Sequence, residues 1–497
     1  MERVQTLVTD DLITMYWEKV EKVCEYQVYI DGTLHGTTDK THYTIEGLQQ
    51  QTSYQIAITY TNENVEKEFW QGEISTTAQK NRIDVTQAPY YAKGDNQTLH
   101  TQALQKAIDD CTAQDVVYVP KGIYLTGALR LHSDMELYLE EGAVLQGTEQ
   151  VEDYLPRIPS RFEGLEMECY SSLLNLGHLD HDGDYNCRNV IIRGKGTIAS
   201  GGWALAKNVI ASEKERLKDY LEELGDKIKE YEKADTIPGR VRPRLINMSN
   251  AQNIWLSGLT LKNGASWNVH MIYSDKIVTN HCTFHSEGVW NGDGWDPDSS
   301  TDCTIFDCQF FTGDDSIAIK SGKNPQGNII NRPTKHIRIF DCKSAYGHGI
   351  AMGSEMSGGI EDVVIWDCDL SNALFGLEIK GTKKRGGYVR DIHVRDCTLP
   401  RILFHSVGYN DDGEGAAHPP VFENCSFENI QLLGKYQDKS GTWHDCDAIE
   451  LCGFDEKGYE IRNIDFRKIH MDRNAEGSYH IAMKYCEDIT FEQISCN

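Results

Sequence analysis

Apolar and polar positions alternate along most of this chain, and from about residue 116 onward the alternation keeps returning to the same phrase. Val, Ile, Thr and Phe at every second position, punctuated by Asn, Gly and Asp, spell short strands joined by tight turns. The phrase recurs as SDKIVTNHCTF, TDCTIFDCQF, KHIRIFDCKS, EDVVIWDCDL, RDIHVRDCTL and VFENCSFENI, which sets Cys282, Cys308, Cys342, Cys368, Cys397 and Cys425 at intervals of 26 to 34 residues. A period in that range marks a repeat architecture, in which each unit buries its apolar face only against its neighbours. Strand-rich units of this size predict an all-β chain whose larger part, residues 84–497, is a right-handed parallel β-helix. Residues 116–147 read as its first coils, CRNVIIRGKGTI and QNIWLSGLTLKN as the next, and the segments around Ile464 and Ile489 as its last.

Two stretches break the rhythm. From Ala211 to Asp235, Leu217, Tyr220, Leu221, Leu224, Ile228 and Tyr231 fall at helical spacing among charges, predicting an amphipathic helix inserted in a loop. It reads as a surface cover or, more sharply, as a lid or wall at one end of a cleft. Residues 1–78 show short alternating strands with a turn every eight to twelve residues, the pattern of a small β-sandwich. Trp17 is its expected core aromatic, and Leu48 with Tyr54 its expected tyrosine corner. This part resembles a fibronectin type III module and reads as a spacer or a wedge.

Charge narrows the partners. A formal net charge of −27 excludes a general nucleic-acid binder, which needs a basic face. It would also repel an acidic polymer at long range, so a site for one must carry local positive charge. Arg240, Arg242 and Arg244 in PGRVRPRL, Lys320, and Lys380, Lys383, Lys384 and Arg385 in IKGTKKRGG are the candidates. Fifteen cysteines are present, but six recur at one repeat position and none forms a zinc-type pair. They read as small apolar core residues in a reducing compartment. The first residues carry no basic-then-apolar leader and no 18-residue apolar run occurs, so the expectation is a cytoplasmic protein without a membrane partner. Nothing in the pattern specifies an oligomer.

The candidate chemistry sits inside the repeats. Asp293 and Asp296 in NGDGWDPD, Asp314 and Asp315 in TGDDSIAIKSG, His348 in YGHGIAMGSE and Lys380 in GLEIKGT are spaced about one coil apart. If each interval is one turn, the side chains return to one wall, roughly 4.8 Å apart per rung. Adjacent Asp314 and Asp315 would point to opposite faces of a straight strand, so the chain must bend there, which Gly313 permits. Crowded carboxylates cannot all ionise, and one keeps its proton. Asn291 reads as a turn-orienting residue and Asp296 as a support for Asp293.

The order NxDG, GDD, GHG, K on a β-helix resembles glycoside hydrolase family 28, the polygalacturonases, and particularly bacterial exo-acting members with an N-terminal fibronectin-like module. VTQAPYYAKGDNQTLHTQALQKAIDDC looks like the family's entry segment, whose helix caps the open end of the coil. The resemblance spans about residues 84–430. It implies inverting hydrolysis of pectic oligosaccharides, with exo release of galacturonate and no cofactor or metal. By this resemblance Asp314 is the general acid, and Asp293 and Asp315 hold the water. His348 tunes the acid, and Lys380 binds a substrate carboxylate or hydroxyl. One departure stands out: the family's RxK is here Glu378-Ile379-Lys380, which exchanges attraction for repulsion at a sugar-contacting position. Either the sugar there is neutral, as in a rhamnosidase acting on rhamnogalacturonan, or Lys383 or Arg385 supplies the charge, with Lys320 nearby. Rivals of another class are a pectate-lyase-like enzyme and a non-catalytic carbohydrate-binding β-helix.

Overall fold

The structure is a computed structural model that describes residues 3–62, 65–231, 233–473 and 480–496. It divides into two compact units, residues 1–82 and 83–497.

In the first unit, seven antiparallel strands form two sheets, of three strands in the order 1-2-5 and four in the order 4-3-6-7. Ile13, Met15, Trp17, Tyr26, Val28, Ile56 and Ile58 from both sheets share one core. Trp17 meets Tyr26 edge-on at 5.2 Å. The Tyr54 hydroxyl accepts the Gln49 N–H at 2.9 Å, tying the turn to the following strand in the manner of a tyrosine corner.

The second unit is a right-handed parallel β-helix. Its strands stack into three parallel sheets of 14, 8 and 11 strands. Residues two apart on a strand point inward, so each rung contributes Ile, Val, Leu or Phe to one continuous core. Fully burying one such side chain stabilises by about 1.5–3 kcal/mol, gained only when the next rung covers it. A bend near the start of the strands in the 14-stranded sheet repeats as well. Asp302, His336, Asp362, Asp391, Asn424 and Asn463 occupy one position on successive rungs, each with φ between +50° and +58°. Asn and Asp tolerate this left-handed conformation because their short polar side chains bond locally, and here they also bond along the column: Asn463 donates to Asn424 at 2.7 Å. The helix Thr101–Asp109 buries Leu104, Ala107 and Ile108 against the core of the first coils, covering what would be an open apolar end.

The cysteines are free and mostly buried. Cys282, Cys308, Cys342, Cys368 and Cys397 form one interior column, with the Cys282 N–H on the Cys308 sulfur at 3.4 Å and the Cys368 N–H on the Cys397 sulfur at 3.5 Å. Cys425 does not continue it. The partner of Cys397 on the next rung is Ile430, whereas Cys425 pairs with Ile392 and Ile464 in a different column. Similar peptide phrases are thus offset by two inward positions, and a small apolar thiol and an isoleucine both fill the interior.

The helical insertion also differs from expectation. Its main helix is Gly202–Arg216, followed by the short Lys218–Leu224 and a 3₁₀ stretch to Glu230. The buried stripe is Leu205, Ala206, Val209, Ile210 and Glu213. The predicted apolar face is half-buried at best, and Tyr220 is exposed. Periodicity there found a helical region but misplaced the face that carries the packing.

Candidate active site

A cleft of about 850 Å³ opens on the outer face of the third sheet, where strands Trp295–Asp298, Ile317–Ile319, Gly349–Met352 and Gly376–Gly381 pair in register. Asn291, Asp293, Asp314, Asp315, His348, Lys320, Glu378 and Lys380 all line it. Backbone bonds bring the four catalytic candidates, Asp293, Asp314, Asp315 and His348, together at the leading edge of consecutive rungs. Gly294 N–H donates to Asp315 O at 3.0 Å, His348 N–H to Asp314 O at 2.9 Å, and Phe375 N–H to His348 O at 2.9 Å. The residue one rung beyond His348 is therefore Phe375, not Lys380. Lys380 belongs instead to the column Lys320–Gly353–Lys380–His405, further along the same strands. Its interval of 32 residues from His348 is one rung of 27 residues, His348 to Phe375, plus five more along the strand, so the two do not share a column.

Glycines permit this crowding. A Cβ on Gly313 would lie 2.4 Å from Val289 O, so the bend before Asp314 needs glycine for close backbone approach. Gly347 and Gly349 have φ of +129° and +106°, and a Cβ on Gly349 would meet Gly376 O at 2.2 Å. The GHG motif thus holds His348 on a turn that side chains would obstruct.

Ion pairs set the protonation of the site. His348 Nδ1 lies 3.0 Å from Asp314 Oδ1 and 3.4 Å from Asp315 Oδ1. Burial disfavours the imidazolium, yet the two carboxylates push His348 up to about 10. Burial likewise opposes ionisation of Asp314, but His348 outweighs it and holds that carboxyl well below the usual range. Across the cleft, burial raises Asp293 and Asp296 well above the carboxylate range. Lys320 Nζ lies 3.3 Å from Asp293 Oδ2, whereas neither oxygen of Asp296 has a protein hydrogen-bond partner among the described residues. Lys320 opposes this rise at both acids and adds a hydrogen bond only at Asp293. The crowding expected from the sequence exists: ionisation is disfavoured at the Asp293–Asp296 pair and favoured at Asp314 beside His348.

The cations divide differently from the expectation. Lys320 also approaches Glu355 at 3.7 Å and lies 4.6 Å over the ring of Trp267. Lys380 pairs with Asp315 at 3.3 Å and Glu378 at 2.8 Å, and Glu378 meets His405 at 2.7 Å. The Lys380 charge and the His405 hydrogen bond outweigh burial and hold Glu378 down at about 2. Arg385, expected to touch substrate, is wholly buried and donates to Ser354 O, Asn324 Oδ1 and Asn410 O instead. It holds loops together and is no substrate contact. Arg240, Arg242 and Arg244 are buried too: Arg240 pairs with Glu163 and Asp412, Arg244 bonds Ser160 and Arg161 O, and Arg242 grips Trp290 O and Asn291 Oδ1 at 2.7 Å each. Lys384 turns to Asp411, and neither it nor Lys383 lines the cleft. Loop residues of this kind are drawn inward wherever backbone carbonyls need donors, which a charge count along the chain does not reveal.

Residues 187–414 match the profile of the glycosyl hydrolases family 28. A probable polygalacturonase of Vitis vinifera is 36% identical over 368 residues, covering 69% of this chain and 68% of that protein. The chain belongs to glycosyl hydrolases family 28 and is a glycoside hydrolase. An exo-poly-alpha-D-galacturonosidase of Dickeya chrysanthemi is 27% identical over 526 residues, covering 92% of this chain and 84% of that protein. A Yersinia enterocolitica family 28 exopolygalacturonase superposes with a TM-score of 0.82 at 22% identity, over 99% of this chain and 95% of that one, and so shares the fold.

In this family 28 member the cleft contains groups that the motifs did not announce: Glu355, His405, Tyr409, Trp290 and Lys439, with Trp203, Lys233 and Asp235 from the insertion. Only His405 had a readable signal, since it follows Lys380 in strand register. Trp203 sits on the helix Gly202–Arg216, and the others lie outside the regular rungs.

Proposed function

We propose that this enzyme is an inverting, exo-acting hydrolase that releases galacturonate units from galacturonan or pectic oligosaccharides. The observation that carries the reading is the convergence of Asp293, Asp314, Asp315 and His348 in one cleft together with Lys320 and Lys380. The names of the Vitis and Dickeya relatives support the substrate class. Inversion needs one acid on the leaving oxygen and a carboxylate activating water on the opposite face of the sugar. Asp314 is the proton donor. His348, 3.0 Å away, holds the Asp314 carboxyl low, and the carboxylates in turn favour the charged imidazolium. When substrate displaces water, the ion pair loses solvation and the neutral arrangement, carboxylic acid beside imidazole, becomes the cheaper one. Asp293 and Asp315 activate the water. Lys320 and Lys380 hold Oδ2 of each, while Oδ1 of Asp293 has no hydrogen-bond partner among the described residues and Oδ1 of Asp315 lies 3.4 Å from His348 Nδ1. Trp203, Lys233 and Asp235 lining the cleft support the insertion as a wall and hence attack from a chain end. Fifteen cysteines, none of them in a disulfide among the described residues, support action in a reducing compartment, on oligosaccharides already imported.

Incubation with defined oligogalacturonides, followed by chromatography and NMR of the first product, tests this. Galacturonate should appear from the first minutes with inverted anomeric configuration. Unsaturated ultraviolet-absorbing products, or retention of configuration, would overturn the reading.

A further inference from the structure

An anionic sugar needs a cation that the protein has not already neutralised, and most cations of this cleft are committed. Lys320 faces Asp293 and Glu355, Lys380 faces Asp315 and Glu378, His348 faces Asp314 and Asp315, and His405 faces Glu378. Lys439 differs. It is exposed, lines the cleft, and donates from Nζ to the backbone carbonyl of Gly313 at 3.0 Å, a neutral acceptor one residue before Asp314. An ammonium has three donors, so this bond leaves two for a ligand.

The residue arrives from 126 positions away, carried by a hairpin of strands Lys435–Gln437 and Trp443–Asp445. The hairpin is built to hold it. The adjacent Asp438 accepts the Ser440 N–H at 2.8 Å and the Thr442 N–H at 3.0 Å, and meets His444 at 2.8 Å, closing the turn that bears Lys439. At the hairpin's base, the Arg401 guanidinium lies 5.2 Å from the Tyr436 ring and 5.1 Å from the Phe375 ring, and Phe375 packs edge-on against His348 at 5.1 Å. One stack therefore links the hairpin to the catalytic histidine.

We propose that Lys439 is a specificity residue that binds the carboxylate of a uronate unit flanking the scissile bond, beside Asp314. It supplies the charge that Glu378 removes from the RxK position and that buried Arg385 does not replace. This deepens the reading of the enzyme as a galacturonan hydrolase and rests on it.

The test compares Lys439→Gln, which keeps a hydrogen-bond donor but loses the charge, with Lys439→Arg and the wild type. KM for trigalacturonate and competitive inhibition by galacturonate and by its methyl ester are measured for each. The expected result is a loss of roughly tenfold in KM and in galacturonate inhibition for Lys439→Gln, as for a charge-assisted contact partly open to solvent. Ester inhibition should change less than about twofold, and Lys439→Arg should stay near the wild type. Equal losses for acid and ester would make Lys439 a structural brace of the Gly313 bend, and no loss for either would make it a bystander; both overturn the proposal. A wild type that fails to cleave trigalacturonate would sink the functional reading itself, a distinguishable outcome.

Discussion

Two sets of buried acids in this molecule are handled in opposite ways. Asp298 and Asp412, in the loops and strand end behind the cleft, are saturated with cations: Asp298 meets Arg161 at 2.7 Å and His270 at 3.3 Å, and Asp412 takes both terminal nitrogens of Arg240 together with Lys323. Burial raises both, but the guanidinium partners prevail and hold each at about 2. Asp293 and Asp296 occupy equally buried ground, yet three of their four oxygens lack a protein partner and burial drives both upward. Asp296 and Asp298 stand on one strand, two residues apart and on one face. Their contrast shows that depth alone does not decide ionisation; the partners do. Asp293 and Asp296 are left under-paired near the cleft, whereas Asp298 and Asp412 are fully paired where loops are held.

Substitutions can break this contrast, beginning with the cleft. Asp314→Asn should lower kcat by about 10²–10⁴, or roughly 3–5 kcal/mol of barrier, with the melting temperature nearly unchanged. Steady-state kinetics beside thermal unfolding checks both halves. Asp298→Asn should instead destabilise by about 3–5 kcal/mol, because it strands the buried Arg161 guanidinium, and urea unfolding midpoints measure that loss.

The His348 pairing sharpens the contrast through pH. Its folded value of about 10 lies above the roughly 6.5 of an unfolded histidine. The pairing therefore stabilises fully below about pH 6.5 and its contribution is lost as pH rises through 10. Between pH 6 and 10 the gap in melting temperature between wild type and His348→Gln should narrow steadily; a gap that widens would contradict the assignment. The smallest effect belongs to Asp296→Asn. If Asp296 already carries a proton, a neutral isostere should shift stability by less than about 1 kcal/mol at pH 7, far from the cost at Asp298.

Much of the site was legible because its residues lie on the regular part of each rung. Asp293, Asp315 and His348 were placed together by counting coils, and the glycines around Asp314 and His348 marked backbone that had to pass close by. Lys380 was placed in the right cleft for an inexact reason, since its interval is one rung plus five residues along the strand rather than one rung. Arg385, Arg240, Arg242 and Arg244 were misjudged because nothing in a local pattern tells whether a loop cation turns outward to substrate or inward to carbonyls. Lys439 and Glu355 were missed because they reach the cleft from loops and a hairpin, outside the repeat.

The order of residues along this chain, by itself, determined the coil, its inward columns and the meeting of the central acids with a histidine. Those features follow from alternation and a near-constant circumference, which are local properties multiplied by stacking. Only the folded structure decided which acids resist ionisation, which cations remain available and which loops wall the cleft. These depend on burial and on partners tens to more than a hundred residues away, and electrostatic energies are set by distance in space rather than along the chain.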